Sequence, residues 1–369
     1  MQAVFGGGSG AVLLSYDVTG TGGILDTLEE ASLNGPVDSI SDVLLTSLPS
    51  NTVVFFADSG LGRFTAYTMD QNGGYAGQDA ESVGQGTILI ARADIVGQSL
   101  LVSSNGDNGV SAFSLNSNGR TTETAQLGEA NGLGNSIPTA LEVIEAHGAT
   151  WFDVRAAGSG LLSVMRRDQT GALVATDHLL DTLGTRFDDV QTLASLSVGG
   201  WSFLIAGWSD DGMSLFILTP DDRLVHLDAI VHQLGTGLEN VEAISAIAVG
   251  DEIQVFVTSA TASGVSQFTV PLENLGAIIN GNGALVGTAD DDLLQTGAGT
   301  TALTGGAGRT LLWQAITITP CRYWITTPKR TAWICPSCQC STPFPAKVDR
   351  GGGRDRPRLR GLERRDILS

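Results

Sequence analysis

Residues 203–222 read FLIAGWSDDGMSLFILTPDD, two apolar segments of strand length joined by a short polar turn that contains Gly212. Aromatic and aliphatic runs separated by Gly, Asp and Ser are typical of a hairpin in an antiparallel sheet. A second polar turn, TPDD at residues 219–222, ends the stretch. The stretch therefore predicts two adjacent strands with a further strand to follow.

The same arrangement occurs six times in residues 1–276. With the centre of the second strand of each hairpin as a marker, the gaps between markers are 51, 46, 51, 52 and 52 residues; the markers are Tyr16, Tyr67, Phe113, Val164, Phe216 and Phe268. A further apolar segment, such as QTLASLSVGG at 191–200, leads into most hairpins. Four-stranded units that repeat every roughly 40–50 residues indicate a β-propeller.

The pattern resembles the lactonase-like and YVTN-type propellers of bacteria. That resemblance implies an all-β fold, and we expect six or seven blades. In a closed propeller the two chain ends often share one blade, so GAIIN at 276–280 is expected to supply a missing strand. Four units place a glycine four residues before the marker, where a hairpin turn favours a left-handed residue; these are Gly109, Gly160, Gly212 and Gly264.

A shorter period follows the propeller. GTADDDLLQ, TGAGTTALT and GGAGRTLLW fill residues 287–313, and leucines recur every nine residues at Leu285, Leu294, Leu303 and Leu312. Glycine permits the positive φ of a tight turn, and the leucines supply an inward aliphatic column. The motif resembles the RTX, or haemolysin-type, repeat Gly-Gly-x-Gly-x-Asp-x-apolar-x, which implies a short parallel β-roll over residues 277–313 that binds Ca²⁺.

In the RTX family a calcium ion lies between turns two repeats apart. The resemblance therefore implies a ligand set formed by two turns: Gly287, Ala289, Asp290, Asp292, Gly305 and Ala307. The repeat is degenerate, because the aspartate survives only as Asp292 and is replaced by Thr301 and Thr310. With so few charged ligands, we expect one weak site with a Kd of about 10⁻⁴ to 10⁻³ M.

Charge is distributed unevenly along the 369 residues. Residues 1–313 contain 9 arginines, no lysine and 35 acidic residues, a net charge of −26. Such an acidic body repels phosphate, so we expect no nucleic-acid partner. No apolar run approaches the roughly 20 residues of a membrane span, and no N-terminal signal peptide is visible. The acidic body suits an extracellular medium, and the RTX resemblance implies an extracellular protein that is secreted by another route.

The tail, residues 314–369, differs in composition and is predicted to be disordered. It contains 11 basic and 4 acidic residues and all 4 cysteines, namely Cys321, Cys335, Cys338 and Cys340. The single CPSC motif is half of a zinc ribbon at most, so no zinc site is expected. Our hypothesis is a one-base frameshift near residues 308–310, because the shifted reading of the Trp codons gives the alternating Asp and Leu of RTX protein ends.

The sequence thus predicts a secreted RTX-type calcium-binding protein whose propeller is a binding or adhesion platform for a surface glycan or protein. The resemblance implies calcium ions as cofactor and, if an intact C-terminal signal existed, the type I secretion machinery as partner. One alternative is a lactonase-like hydrolase with a metal held by turn carboxylates, for which the candidates are Asp58, Asp107, Asp210 and Asp211. Another is a non-functional gene product. The four histidines have no ligand spacing.

Overall fold

The computed structural model describes the chain in segments, separated by short gaps. These are residues 2–6, 12–18, 24–32, 39–49, 51–69, 75–84, 86, 88–95, 98–105, 109–133, 138–147, 149–156, 160–182, 185, 187, 189–209, 211–233, 236–308, 310–314, 325–326, 333–334 and 363–366.

Residues 2–271 form six successive antiparallel sheets, each built from consecutive strands. The strands of the first three sheets are β1 (Gln2–Gly6), β2 (Val12–Val18) and β3 (Ile24–Ser32), then β4 (Ile40–Ser47), β5 (Thr52–Asp58), β6 (Arg63–Met69) and β7 (Tyr75–Ser82), then β8 (Ile90–Ile95), β9 (Gln98–Asn105), β10 (Gly109–Leu115) and β11 (Thr121–Leu127).

Sheets four to six continue the pattern after a 3₁₀ turn at Glu129–Asn131. They contain β12 (Pro138–Ala146), β13 (Ala149–Ala156), β14 (Leu161–Arg167) and β15 (Leu173–Leu180), then β16 (Val190–Val198), β17 (Trp201–Trp208), β18 (Gly212–Leu218) and β19 (Leu224–Val231), then β20 (Val241–Val249), β21 (Glu252–Ser259) and β22 (Val265–Pro271). The remaining strands are β23 (Leu275–Val286), β24 (Asp291–Thr304), β25 (Thr310–Gln314), β26 (Ile325–Thr326), β27 (Trp333–Ile334) and β28 (Glu363–Asp366).

The sheets are arranged around their first strands. Strands β1, β4, β8, β12 and β16 each contact the first strand of the next sheet in the series. Sheets that meet at their first strands and radiate outwards are the blades of a β-propeller. The predicted all-β propeller fold is therefore confirmed, and the 51-residue period of the sequence is the period of these sheets.

The core lies between sheets rather than within any one of them. In the fifth sheet every residue of β17 and β18 is buried, on both faces. Their side chains join one hydrophobic cluster with residues of the fourth and sixth sheets, including Leu162, Val255 and Phe268. A strand buried on both faces needs a continuous apolar run, which explains the composition of residues 201–218.

Hydrogen bonds from side chains also join the first strands. Between the second and third sheets, Ser41 Oγ donates to Ile88 O, just before β8, at 2.7 Å. Between the fourth and fifth sheets, Thr139 Oγ1 donates to Val190 O at 2.9 Å. Two carboxylates act in the opposite sense as acceptors. Asp42 accepts Ile90 N at 2.9 Å. Glu142 accepts both the backbone N at 3.2 Å and Oγ at 2.8 Å of Ser195.

The role predicted for the hairpin glycines holds at two of the four positions. Gly160 and Gly264 have φ of 55° and 94°. At the fifth sheet, however, the left-handed residue is Asp211, with φ of 66°. Gly212 is required for space instead, because a Cβ there would lie 2.3 Å from Trp208 Cζ2 and 2.4 Å from Ile230 O.

Residues 275–314 change from antiparallel to parallel pairing. Strand β23 pairs with β24, which pairs with β25, and the register places Leu285 beside Leu303 and Leu294 beside Leu312. Paired leucines are thus 18 residues apart, so two nine-residue units make one full turn of a coil. The prediction that residues 276–280 complete a propeller blade is wrong, because they lie inside β23 of this parallel coil.

The coil has its own interior. Leu285, Leu294 and Leu303 are buried together, with Ile279 packed against them. Three short segments of the tail also form strands. Strand β26 continues beside Leu303 and β27 beside Leu311, both in parallel, while β28 pairs antiparallel with β22. The four cysteines lie outside the described residues.

The half-buried Glu142 carboxyl makes a pH-dependent contribution to stability. Burial raises its pKa, and the hydrogen bonds from Ser195 oppose that rise. Because the folded protein holds this proton more tightly than the unfolded chain, the contribution is fully present below the unfolded pKa and is lost as pH rises through the folded value. We expect the unfolding free energy of Glu142→Gln to improve relative to the parent as pH rises from about 4.5 to 7.5.

Urea unfolding at several pH values measures this difference. Glu145→Gln is the matched control, since Glu145 lies exposed on the same strand. Parallel pH profiles for Glu142→Gln and the parent protein would exclude the assigned role.

Candidate metal centre

The candidate site consists of two stacked turns of the parallel coil, residues 287–292 and 305–310. Gly287 N donates to Thr304 O at 2.7 Å, and Ala307 N donates to Thr288 O at 3.2 Å. The two turns touch through their backbones, because a Cβ on Gly306 would lie 1.7 Å from Thr288 O. Gly306 also has φ of 67°, so no other residue type fits there without strain.

All six ligands implied by the RTX resemblance lie in this stack. Gly287 is next to Gly305, since a Cβ on Gly287 would lie 3.0 Å from Gly305 O. A Cβ on Gly308 would lie 2.8 Å from Ala289 O and 1.9 Å from Asp290 O. The structure therefore brings together two turns that are 18 residues apart, as expected; the six residues are Gly287, Ala289, Asp290, Asp292, Gly305 and Ala307.

Asp292 is the most deeply buried acidic group of the stack, with only 1% of its surface exposed. Its Oδ1 accepts Ala277 N at 2.8 Å and Thr288 Oγ1 at 2.8 Å, and its Oδ2 accepts Thr288 N at 2.6 Å. All three donors are neutral. Among the residues that the structure describes, no Lys, Arg or His lies within ion-pair distance of Asp292. The site thus holds a buried negative charge without a described counter-ion.

Thr310 occupies the position in the second turn that corresponds to Asp292 in the first. It pairs with Asp292 in the β24–β25 register, and its Oγ1 donates to Gly305 O at 2.5 Å. The hydroxyl hydrogen therefore satisfies a turn carbonyl that would otherwise face the stack. The turn at 287–292 is thus closed by a charged acceptor, the Asp292 carboxylate, and the turn at 305–310 by a neutral donor, the Thr310 hydroxyl.

The stack contains oxygen atoms of the type that Ca²⁺ prefers. Ca²⁺ prefers six to eight oxygen ligands, and the stack offers backbone carbonyls from both turns with one carboxylate. A carboxylate has about four acceptor positions, of which the three hydrogen bonds leave one at Asp292. A second carboxylate is missing at Thr310, which lowers the charge available to a divalent cation.

The carboxylates predicted in the propeller turns have structural partners where they are described. Asp58 accepts Leu61 N of its own turn at 3.0 Å, and Asp211 accepts Asn240 N, before β20, at 2.8 Å. Asp107 and Asp210 lie outside the described residues. In the described part of the chain, no group of three or more His, Cys, Asp or Glu is placed to hold a metal.

The described histidine contacts are made with separate neighbours. They join His147 to Leu218 O, His178 to Ser163 Oγ, His226 to Ser214 Oγ and His232 to Thr236 Oγ1. The described residues also contain no helix that is long and apolar enough to cross a bilayer.

Sequence reasoning missed two residues that hold Asp292. Thr288 contributes both its backbone N–H and its hydroxyl, and its position four residues before Asp292 was the available signal for a local side-chain bond. Ala277 contributes a backbone N–H from strand β23, and no side-chain pattern could have indicated this contact.

Comparison with known proteins supports the fold. No family model matches the sequence. No curated protein matches it either. A functionally unknown protein from Desulfotomaculum acetoxidans aligns with 71% of this chain and 73% of its own, at 14% identity and a TM-score of 0.50. A Lactobacillus plantarum protein aligns over 71% and 78%, at 15% identity and a TM-score of 0.52.

Virginiamycin B lyase from Staphylococcus aureus aligns over 72% of this chain and 76% of its own, at 12% identity and a TM-score of 0.46. At these identities the shared property is the fold alone.

Removal of the Asp292 carboxylate should destabilise the chain even without metal. In Asp292→Ala, the backbone N–H groups of Ala277 and Thr288 lose their acceptor in a buried site. Each unsatisfied buried donor costs about 1–3 kcal/mol, so we expect a loss of about 2–4 kcal/mol in unfolding free energy. Urea unfolding in chelator measures it. Glu129→Ala, at an exposed acid, should change stability by less than about 0.5 kcal/mol.

Proposed function

We propose that this protein is a secreted, calcium-binding β-propeller of RTX type. The stacked turns at 287–292 and 305–310 hold one Ca²⁺, and the propeller serves as a binding platform. The observation that carries the proposal is the carboxylate of Asp292, which is 1% exposed and, among the residues that the structure describes, is bound by neutral donors only. A buried charge is costly unless it is paired, and a divalent cation beside it removes that cost.

Calcium acts structurally in this proposal. Carbonyl oxygens of two turns and a carboxylate repel one another when they converge, and a cation neutralises that repulsion. The ligands named above are the backbone carbonyls of Gly287, Ala289, Asp290, Gly305 and Ala307 with the side chain of Asp292. With one carboxylate, the Kd is about 10⁻⁴ to 10⁻³ M, the range of extracellular modules.

Secretion is supported by composition. Residues 1–313 carry a net charge of −26, and residues 1–320 contain no cysteine. A segment without cysteine forms no disulfide while it crosses an export channel unfolded, and an acidic segment remains soluble in that state. We propose the type I secretion machinery as partner and the extracellular medium, where calcium is millimolar, as the place of final folding. The platform ligand is a surface glycan or protein.

The missing carboxylate provides a test by restoration. Thr310→Asp places a second charged oxygen beside Gly305 O, so we expect calcium to bind at least about tenfold more tightly than in the parent chain. In chelator the same variant should melt at a lower temperature, because the carboxylate then repels Gly305 O and Asp292. Isothermal calorimetry and thermal melts of the full chain, with and without 10 mM Ca²⁺ (about ten times the weakest expected Kd), measure both effects.

Thr310→Asn is the matched control. Its amide N–H can donate to Gly305 O as the hydroxyl does, and it adds no charge. Equal calcium affinity in Thr310→Asp and Thr310→Asn, or no binding heat in either, would rule out a cation between these turns.

A further inference from the structure

One peptide group connects the candidate metal centre to the propeller. The carbonyl of Gly276 accepts a hydrogen bond from Trp201 Nε1 at 2.8 Å. The N–H of Ala277, on the other side of the same planar peptide, donates to Asp292 Oδ1 at 2.8 Å. We call this group, residues 276–277, the bridging peptide. It is bound by the fifth sheet on one side and by the metal-centre carboxylate on the other.

Both ends of this connection are rigid. Trp201 begins β17, is 5% exposed, and stacks on Phe203 with ring centroids 6.4 Å apart and an interplanar angle of 19°. At the bridging peptide, a Cβ on Gly276 would lie 2.4 Å from Asp292 Oδ1 and 3.0 Å from Asp291 O. Only glycine allows the carboxylate to approach this closely, so a shift of Asp292 must move the peptide.

Packing around the bridging peptide joins the same two parts of the chain. Leu293, next to Asp292, is fully buried in the cluster that contains Trp201 and Phe203, while Leu294 faces the interior of the coil. Leu275 and Ile278 of β23 and Leu311 of β25 also pack against that propeller cluster. The coil therefore packs against the propeller cluster through apolar side chains, and the hydrogen bond from Trp201 to Gly276 adds a polar link beside this contact.

We infer that Asp292 and Trp201 are energetically coupled through the bridging peptide, so that calcium at the stacked turns strengthens the packing of the coil against the propeller. The calcium part of this inference rests on the proposed function; the coupling does not. Two hydrogen bonds on opposite sides of one peptide polarise it in the same sense, so each strengthens the other. Coupling is reciprocal, so loss of the Trp201 bond must also weaken calcium binding.

A double-mutant cycle in chelator tests the coupling in the full chain. Trp201→Phe removes the indole N–H and keeps an aromatic ring, and Asp292→Ala removes the acceptor. We expect the melting temperature of the double variant to exceed the value for additive losses by at least about 2 °C, because the two residues share one network. Phe64→Leu lies in a separate core cluster and should combine additively with Asp292→Ala. Additive losses for Trp201→Phe as well would overturn the inference.

Calcium calorimetry separates this inference from the proposed function. We expect Trp201→Phe to weaken calcium binding about threefold to tenfold, the effect of about one hydrogen bond, and Phe64→Leu to leave it unchanged. No binding by the parent chain refutes the proposed calcium site, while the chelator cycle still decides the coupling. If the parent chain and Trp201→Phe bind calcium with equal affinity, the Trp201 hydrogen bond has no effect on the candidate metal centre, and this part of the inference is refuted.

Gly276→Ala provides a second route to the same coupling. The added methyl group pushes the bridging peptide away from Asp292 and leaves both hydrogen-bonding side chains in place. The inference requires that Trp201→Phe then costs less in the Gly276→Ala background than in the parent chain. An equal cost in both backgrounds counts against it.

Discussion

Burial of both faces of the two central strands of the fifth sheet is the constraint on which this structure depends. Strands β17 and β18 are buried along their whole length, so water covers neither of their faces. The fifth sheet is stable only between the fourth and sixth sheets, and the shared hydrophobic cluster spans all three. The coil extends this principle, because its Leu293 completes the same cluster. A local hairpin pattern therefore yields a stable fold only through repetition.

Side-chain hydrogen bonds also join neighbouring sheets, and their partners are separated by about one sheet repeat. Thr139 and Val190 are 51 residues apart, and Ser41 and Ile88 are 47 apart, yet each pair joins neighbouring first strands in the same way. Asp42 and Glu142 perform a related task as acceptors, and burial raises the pKa of both carboxyls. These carboxylates satisfy backbone donors of the next sheet, which explains why acidic residues are tolerated at the centre of an apolar fold.

Much of the architecture was predictable because it follows from period and residue type. The hairpins of the six repeats and the leucine column at Leu285, Leu294 and Leu303 were read correctly from spacing alone. Features set by tertiary contact were not predictable. Gly212 is needed because Trp208 passes over it, and the left-handed residue of that turn is Asp211. Residues 276–280 carry a strand pattern that fits a propeller blade or a parallel coil equally well, and only register decides between them.

The residues predicted as metal ligands lie together in the two stacked turns, whereas the groups that hold the Asp292 carboxylate were not foreseen. Ala277 acts through its backbone, and Trp201 reaches Gly276 across 75 residues of sequence. A motif identifies the residues that face a ligand. It does not identify the backbone groups that fix them, because those are chosen by the surrounding fold.

The two stacked turns are closed by different side-chain contacts. Thr310 donates its hydroxyl to Gly305 O, whereas the Asp292 carboxylate accepts the N–H groups of Ala277 and Thr288. The Thr310 contact needs no ion, while in the proposed function a cation compensates the charge of Asp292. The turn at residues 305–310, which the Thr310 hydroxyl closes, needs no cation to form. In the proposed function, calcium then adds to a coil that is already seated, so it acts as an increment of stability at the Asp292 turn and at the propeller surface beneath it. The stability of a coil with aspartate in both turns would depend far more strongly on the calcium concentration.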